Sequence, residues 1–258
     1  MKQLIGKNKE GLIMTLDRNL NKFIDHTLLK QSAIQEEYET LLDEANTYEF
    51  QTVCVSPFMA VPIKNILNTI ASPVRVCTVV DFPHGNKPLE LKMHETQFFA
   101  TRGIDEIDFV LNYNELKNKQ FKYIIQEIQT LSDICKRNGA VSKCIVETCY
   151  LTKEEKEMIF HFIKDYAPNL DFIKTSTGFG TAGATLEDIN HWNELRGNAP
   201  RPLIKAAGGI KDLDAALNMI AAGADRLGMS AGVKVMEELR ERNPESFIGG
   251  KEEIRKVS

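Results

Sequence analysis

Short β-branched and aliphatic runs alternate with longer amphipathic stretches along most of the chain, and this alternation constrains the fold more than any other feature. Eight such runs occur, each followed by a stretch with helical periodicity. Several are almost continuously apolar, as expected for strands buried on both faces of a parallel sheet. The strand candidates are residues 23–26, 52–55, 74–80, 106–110, 143–147, 170–174, 202–205 and 225–228.

Helix start and stop signals support the same alternation. Ser32 is predicted to precede a helix that runs to about Tyr48, and Thr152 and Thr185 begin capping-box sequences. Gly223 is predicted to end a helix directly before a strand. Eight strand–helix units close a TIM (β/α)8 barrel, whereas a doubly wound sheet more often has about five to seven strands and a G-x-G-x-x-G turn after the first. We therefore predict an α/β fold of the TIM (β/α)8 barrel type.

The length of the chain fits one such barrel. It has 258 residues, close to the roughly 250 that are typical of the fold. No Pro-, Gly- or Ser-rich linker interrupts the series, so we predict a single domain over residues 1–258. Within it, residues 1–19 are predicted to form an N-terminal helical extension, and residues 241–258 a C-terminal tail.

Composition excludes several classes of protein. With 43% hydrophobic and 26% charged residues and a net charge of -4, the chain is neither disordered nor broadly basic, which argues against nucleic-acid binding. The N-terminus lacks the apolar core of a secretory signal, and no run approaches the roughly 18 apolar residues of a membrane helix. The five cysteines show no C-x-x-C spacing and the histidines no H-x-x-x-H spacing. We expect a cytoplasmic protein with reduced thiols, no metal and no membrane partner.

Polar residues fall near the predicted carboxyl ends of the strands, where the side chains of a barrel converge on one mouth. Lys174 and Lys205 each follow an isoleucine in an otherwise apolar run, on the sixth and seventh strands, which are neighbours. A single lysine at a strand end more often reaches water or pairs with a carboxylate. Two of them beside Asp108 favour a functional site. The predicted mouth residues are Asp25, Cys54, Asp81, Asp108, Glu147, Lys174, Lys205 and Ser230.

Two adjacent lysines indicate a particular chemistry. Their ammonium groups repel each other and desolvation also disfavours charge, so one lysine should become neutral near physiological pH. A neutral amine attacks a carbonyl carbon to form a Schiff base, and the resulting iminium accepts the electrons of a breaking carbon–carbon bond without any cofactor. Lys205 and Asp108 could then move protons. Asp108 taken alone could equally be a structural salt-bridge partner, and Cys54 is expected to be a thiol in the pocket wall.

Glycine-rich turns follow the sixth, seventh and eighth predicted strands. Loops after the last strands of a barrel commonly bind phosphate, because glycine allows backbone N–H groups to approach the oxygens and a helix N-terminus adds its dipole. The turns therefore predict a small phosphorylated substrate. Their key residues are Gly178, Gly208, Gly209, Gly228 and Ser230.

Five sequence phrases, taken together and in order, closely resemble the deoxyribose-phosphate aldolase family. They are DHTLL at 25–29, DFPHG at 81–85, DEID at 105–108, FIKTSTG at 172–178 and KAAGGI at 205–210. The resemblance extends over residues 21–232. It implies a class I aldolase, a lyase that reversibly cleaves 2-deoxy-D-ribose 5-phosphate into acetaldehyde and D-glyceraldehyde 3-phosphate in deoxynucleoside degradation.

The resemblance also implies roles for individual residues. Lys174 corresponds to the lysine that forms the Schiff base, and Lys205 to the lysine that favours its neutral form and relays protons. Asp108 corresponds to an aspartate that shuttles a proton through an ordered water, and Lys143 to a lysine hydrogen-bonded to that aspartate. The phosphate contacts are assigned to Gly178, Gly208, Gly209, Gly228 and Ser230. Supporting positions are assigned to Asp25, Thr177 and Cys54.

Three departures from the family pattern concern the phosphate end and the C-terminus. Ala231 stands where some members have a second serine, Phe179 stands where some have a lysine, and the chain ends at Ser258 without a terminal tyrosine. Two other functions stay open: another class I phosphosugar aldolase, or a non-catalytic barrel that binds a sugar phosphate. A homo-oligomer, either a dimer or a tetramer, is also compatible with the sequence.

Overall fold

The computed structural model describes residues 19–243, in which eight parallel strands form a closed barrel. Each strand pairs with the next along the chain, and the first pairs with the eighth to close the sheet. The predicted TIM (β/α)8 barrel is confirmed. The strands are β1 (Ile24–Leu28), β2 (Thr52–Val55), β3 (Arg75–Val80), β4 (Glu106–Val110), β5 (Val141–Ile145), β6 (Phe172–Lys174), β7 (Leu203–Ala207) and β8 (Arg226–Met229).

Nine helices surround the strands in this part of the chain, and short 3-10 segments occupy Leu20–Phe23 and Thr148–Tyr150. None of these helices is long and apolar enough to cross a membrane. Residues 1–18 of the predicted N-terminal helix at 1–19, and residues 244–258 of the predicted tail at 241–258, lie outside the described residues. Glu241 and Arg242, at the start of the predicted tail, belong to the last helix. The helices are α1 (Gln35–Tyr48), α2 (Pro57–Thr69), α3 (Leu89–Ala100), α4 (Tyr113–Lys117), α5 (Phe121–Arg137), α6 (Lys153–Tyr166), α7 (Leu186–Arg196), α8 (Leu213–Ala222) and α9 (Gly232–Arg242).

The predicted helix signals on the carboxyl half of the chain are confirmed. The Thr152 hydroxyl accepts the Glu155 N–H at 3.3 Å, and the Glu155 carboxylate accepts the Thr152 N–H at 2.8 Å, which completes a capping box. The Thr185 hydroxyl accepts the Asp188 N–H at 3.1 Å, so Thr185 caps its helix through this bond rather than through a complete capping box. Gly223 ends α8 with φ of 117°, in the left-handed region that glycine favours.

The first helix begins later than predicted. α1 starts at Gln35, and Ile34 rather than Ser32 is the residue that precedes it. The carboxylate of Glu37 accepts the N–H of Ile34 at 3.0 Å and also binds Lys30 at 2.8 Å. A carboxylate in the first turn therefore binds the N–H of the residue that precedes the helix, which is the carboxylate half of a capping box.

Strand alternation separates the two sides of the barrel wall. Outward residues such as Ile107, Ile173 and Ile204 are fully buried beneath the helices and form the main apolar core. Inward residues at the next positions include Asp108 and Lys205, which are also buried. The barrel interior therefore holds a set of charged groups within an apolar shell.

Candidate active site

Asp108 on β4 lies at the centre of the buried charges. Its Oδ2 accepts hydrogen bonds from Lys174 Nζ and Lys205 Nζ, both at 2.8 Å, and its Oδ1 accepts one from Lys143 Nζ at 2.6 Å. Strand register explains this convergence. Asp108 pairs with Lys143 across β4 and β5, and Lys174 pairs with Lys205 across β6 and β7. The structure thus brings together the three predicted catalytic residues and Lys143, which the resemblance placed beside Asp108.

A second layer of charge lies deeper in the barrel. Asp25 Oδ2 is 2.5 Å from Lys205 Nζ, and Glu106 Oε2 is 2.6 Å from Lys143 Nζ. Arg226 Nη1 contacts both carboxylates, at 2.6 Å from Asp25 and 3.2 Å from Glu106. Every ammonium in this interior therefore faces at least one carboxylate.

The charge balance of the cluster distinguishes Lys174 from the other lysines. Lys143 and Lys205 each contact two carboxylates within 2.8 Å, while Lys174 shares the single carboxylate of Asp108. Without Lys174, the cluster has three carboxylates and three buried cations. Lys174 is therefore the buried cation with the fewest carboxylate partners in this cluster. The buried members are Asp25, Glu106, Asp108, Lys143, Lys174, Lys205 and Arg226.

One further cation touches the cluster from outside. Arg75 Nη1 is 3.0 Å from Glu106 Oε1, and the side chain of Arg75 is 34% exposed. Because water screens a partly exposed charge, Arg75 affects the balance of the interior less than the buried cations do.

The pKa shifts of the buried groups follow from these contacts. Burial alone would raise the pKa of Asp108, but the ammonium groups of Lys143, Lys174 and Lys205 outweigh it and hold that pKa well below its usual range. Burial opposes the charged form of Lys205, yet Asp108 and Asp25 raise its pKa above the ordinary lysine value. At Lys205, the carboxylates of Asp108 and Asp25 outweigh the repulsion from neighbouring lysines, so Lys205 stays charged. The sequence predicted that one of the two lysines is neutral, and Lys205 is therefore not that lysine.

Two thiols form the wall beside Asp108. Cys77 Sγ donates to Asp108 Oδ1 at 3.1 Å, and Cys54 pairs with Cys77 in the register of β2 and β3. Burial raises the pKa of Cys77 well above its usual range. Within the described residues, potential ligand atoms of Cys54, Cys77 and Asp108 lie within 4.8 Å of one another. Three ammonium groups around Asp108 would oppose a divalent cation at this position.

The glycine turns form an open rim above the charged interior. Gly178, Gly208 and Gly209 have φ values of 87°, 82° and 81°, which L side chains rarely adopt. A Cβ on Gly183 would lie 2.3 Å from the carbonyl oxygen of Gly208, so the loops after β6 and β7 touch backbone to backbone. Gly183 was absent from the predicted site residues. The closely spaced glycines from Gly178 to Gly183 are the sequence signal that could have identified it.

Gly228 was predicted to lie in the turn after the eighth strand, but it lies within that strand. Because β8 extends to Met229, Gly228 is a buried strand residue, and a Cβ there would lie 3.1 Å from Lys205 Cε. The absence of a side chain gives the Lys205 stem its space. Ser230 is exposed directly after the strand, and Ala231 immediately precedes α9. Ser230 therefore remains at the rim, and Gly228 supports the interior beneath it.

Thr177 supports the loop after β6 through Glu147. The Thr177 hydroxyl donates to the Glu147 carboxylate, which also accepts the Thr177 N–H at 3.2 Å. The Thr177 oxygen in turn accepts the Phe179 N–H at 3.0 Å. Phe179 packs edge-on against Phe82, with ring centroids 5.4 Å apart. Contacts of Thr177 with Glu147 and of Phe179 with Phe82 therefore hold this loop in place.

Several predicted mouth residues lie deeper than the sequence suggested. Asp25, Cys54 and Asp108 occupy interior positions of their strands rather than the last positions. The cause is the narrow barrel, in which inward side chains stack in layers and the open mouth begins above them. Arg226 was not predicted as a site residue. Arg226 lies two residues before Gly228 on β8, so both residues face the interior of the barrel.

A parallel barrel with two adjacent lysines and a buried aspartate below its mouth has the groups that a Schiff-base-forming, class I aldolase requires. Residues 20–238 match the model of the DeoC/LacD family aldolase. The chain therefore belongs to the DeoC/LacD aldolase family, and it is an enzyme of the lyase class.

Individual relatives agree with this membership. The chain is 44% identical over 225 residues to the deoxyribose-phosphate aldolase of Malacoplasma penetrans, an alignment that covers 87% of this chain and 98% of the relative. The solved structure "QR15, an Aldolase" matches with a TM-score of 0.79 and 34% identity, over 88% of this chain and 98% of that one. The deoxyribose phosphate aldolase of Aeropyrum pernix, described as a tetramer, matches with a TM-score of 0.79 and 29% identity, over 92% and 100% of the two chains.

Proposed function

We propose that this protein is a deoxyribose-phosphate aldolase, which reversibly cleaves 2-deoxy-D-ribose 5-phosphate into acetaldehyde and D-glyceraldehyde 3-phosphate. The observation that carries the proposal is Asp108 Oδ2, which lies 2.8 Å from both Lys174 Nζ and Lys205 Nζ. One carboxylate oxygen thus connects a candidate nucleophile to a candidate proton donor. The glycine rim above them suits the phosphate of the same substrate.

Lys174 is the nucleophile in this proposal. Its neutral amine adds to C1 of the open-chain aldehyde, and loss of water gives an iminium. The C2–C3 bond then breaks, its electron pair moves into the iminium to form an enamine, and a base takes the proton of the C3 hydroxyl. D-glyceraldehyde 3-phosphate leaves. The enamine is protonated at C2, and water hydrolyses the resulting iminium to release acetaldehyde and the free amine of Lys174.

The neighbouring charges have separate tasks. Asp108 and Lys205 transfer the protons that these steps require. Lys143 holds Asp108 Oδ1 at 2.6 Å, and Asp25 holds Lys205 at 2.5 Å, so each proton carrier has a fixed position. The substrate phosphate binds at the rim formed by Gly178, Gly208, Gly209 and Ser230.

We also propose that the protein is a homo-oligomer in the cytoplasm. Large apolar side chains are exposed on neighbouring helices, and such surfaces commonly form interfaces between subunits. Examples are Phe58 and Ile66 on α2, and Leu91 and Phe98 on α3. Five free thiols support a reducing compartment. Light scattering after size-exclusion chromatography measures the number of subunits directly.

The cleavage reaction tests the main proposal. Purified protein is incubated with 2-deoxyribose 5-phosphate, and D-glyceraldehyde 3-phosphate is followed through coupling enzymes that consume NADH. We expect turnover that the Lys174→Leu variant abolishes. A Lys156→Leu variant is the matched control, because Lys156 binds Asp188 in the outer helix layer. Turnover of a ketose phosphate alone would favour another aldolase, and phosphate-dependent thermal stabilisation without turnover would favour a binding protein.

A further inference from the structure

A second buried ion cluster lies outside the Asp108 site, beneath loop 81–85, which is the first part of the connection between β3 and α3. Lys92 on α3 is fully buried, and its Nζ donates to the carbonyl oxygens of Gly85 at 2.7 Å and Val110 at 2.9 Å. The same ammonium pairs with Glu127 on α5 and lies 3.2 Å from Asp81 Oδ2. One lysine thus ties together the loop, the end of β4 and two helices.

The loop 81–85 has little freedom in this arrangement. The carbonyl of Asp81 accepts the Gly85 N–H at 2.8 Å, and the Asp81 carboxylate accepts the Lys87 N–H at 2.8 Å. A Cβ on Gly85 would lie 2.4 Å from the carbonyl oxygen of Leu111, so the loop backbone rests directly on the chain that follows β4. Lys92 reinforces this contact from below by binding both Gly85 and Val110.

The loop carries one side chain to the mouth of the barrel. Phe82 packs edge-on against Phe179, with centroids 5.4 Å apart. Phe179 directly follows Gly178 of the glycine rim, and its N–H is bound by Thr177. The position of Phe82 therefore limits where the Gly178 turn can lie.

Buried ion pairs seldom add stability beyond what apolar side chains of similar volume would give, so stability alone gives no reason for Lys92 and Glu127. We propose that Lys92 is a positioning residue for the phosphate end of the substrate. With Glu127 and Asp81 it fixes loop 81–85, so that Phe82 supports Phe179 and the Gly178 turn. This role rests on the proposed function, because it assigns the phosphate to that turn.

The test compares substrates with and without the phosphate. The double variant Lys92→Met/Glu127→Met removes both charges and keeps side-chain volume. A displacement of about 1 Å in substrate-positioning groups can cost up to ~100-fold in rate, and for this indirect effect we expect about tenfold in kcat/KM for 2-deoxyribose 5-phosphate. Activity on unphosphorylated 2-deoxyribose should stay within about twofold of wild type, because that substrate does not use the rim.

Matched controls make the outcome specific. The variant Lys64→Met/Asp105→Asn removes an ion pair of 2.7 Å that is also distant from the phosphate rim, and it should leave the ratio of the two activities unchanged. Phe82→Ala leaves the Lys92 cluster intact and should reproduce the loss of phosphate preference, which covers the case in which the double variant does not fold. Equal losses on both substrates, or an unchanged ratio in the folded variants, would overturn the proposal.

A direct binding measurement separates this proposal from the reaction. If the wild-type protein cleaves neither substrate, the proposed function fails. Calorimetric titration with inorganic phosphate then still tests Lys92, since the double variant should bind phosphate about tenfold more weakly than wild type. Unchanged phosphate affinity in the folded double variant and in the Phe82→Ala variant would exclude the positioning role.

Discussion

Replacing Asp108 by asparagine removes the charge on which the proposed chemistry depends and changes the shape of the site very little. The carboxylate contacts Lys143 at 2.6 Å, and Lys174 and Lys205 at 2.8 Å. In the Asp108→Asn variant, Lys143 keeps Glu106 and Lys205 keeps Asp25 as carboxylate partners. Lys174 loses the carboxylate that it shares, and the path for protons between the two lysines is interrupted.

The size of the effect follows from the two roles of the carboxylate. Proton transfer by a positioned side chain contributes about 10²- to 10⁴-fold, or about 3 to 5 kcal/mol of the barrier, so we expect kcat to fall by that factor. Breaking a buried ion pair costs roughly 3 to 5 kcal/mol, and two of the three lysines keep a partner here, so we expect about 3 kcal/mol of destabilisation. For a chain of this size, that corresponds to a decrease in Tm of about 6 to 12 °C.

Steady-state cleavage of 2-deoxyribose 5-phosphate and thermal melting measure the two effects separately. Schiff-base formation with Lys174 should persist in the Asp108→Asn variant, because the amine remains in place. The control is Asp188→Asn, which affects an aspartate paired with Lys156 in the helix layer and should retain kcat within about twofold. A folded Asp108→Asn variant that keeps more than about a tenth of the wild-type kcat would refute the assignment of Asp108 to proton transfer.

Substitutions at three further positions probe other parts of the site. Lys205→Met should lower kcat about 100-fold in the cleavage assay, and Lys205→Arg should recover little because a guanidinium stays protonated. Gly183→Ala should raise KM for the phosphorylated substrate about tenfold without a matching loss on 2-deoxyribose, because its Cβ would lie 2.3 Å from the Gly208 carbonyl oxygen. Burial opposes ionisation of Asp25, but Arg226 and Lys205 hold its pKa well below the usual range. A carboxylate with a lowered pKa stabilises the folded protein above the pKa of the unfolded chain, at about pH 4, and this stabilisation is lost in more acidic solution. Thermal melts of Asp25→Asn should accordingly show a shallower fall in Tm than wild type between about pH 5 and pH 3.

Local patterns in the sequence were sufficient for the barrel and for the paired lysines. β-branched runs specify buried strands, and consecutive strands joined by helices lie side by side in a parallel barrel. The adjacency of Lys174 and Lys205 follows from this rule, and their register confirms it. The capping box at Thr152 also depends only on residues within one helical turn.

The charge balance needed the three-dimensional structure. Asp25 and Arg226 are 201 residues apart in sequence, yet they meet at 2.6 Å because β1 and β8 close the barrel. This contact, with the one between Asp25 and Lys205, provides the carboxylates that offset lysine repulsion at Lys205. The pairing of Lys92 with Glu127 on a different helix had no local signal either. Such contacts depend on closure and helix packing rather than on any short pattern.

The central claim is that Lys174 forms the Schiff base, and borohydride trapping tests it most directly. The protein is incubated with 2-deoxyribose 5-phosphate, the imine is reduced, and the modified peptide is identified by mass mapping. We expect one reduced adduct on Lys174, with none after Lys174→Leu substitution. An adduct on Lys205 would reverse the roles of the two lysines, and a folded protein without any adduct would contradict Schiff-base chemistry on this substrate.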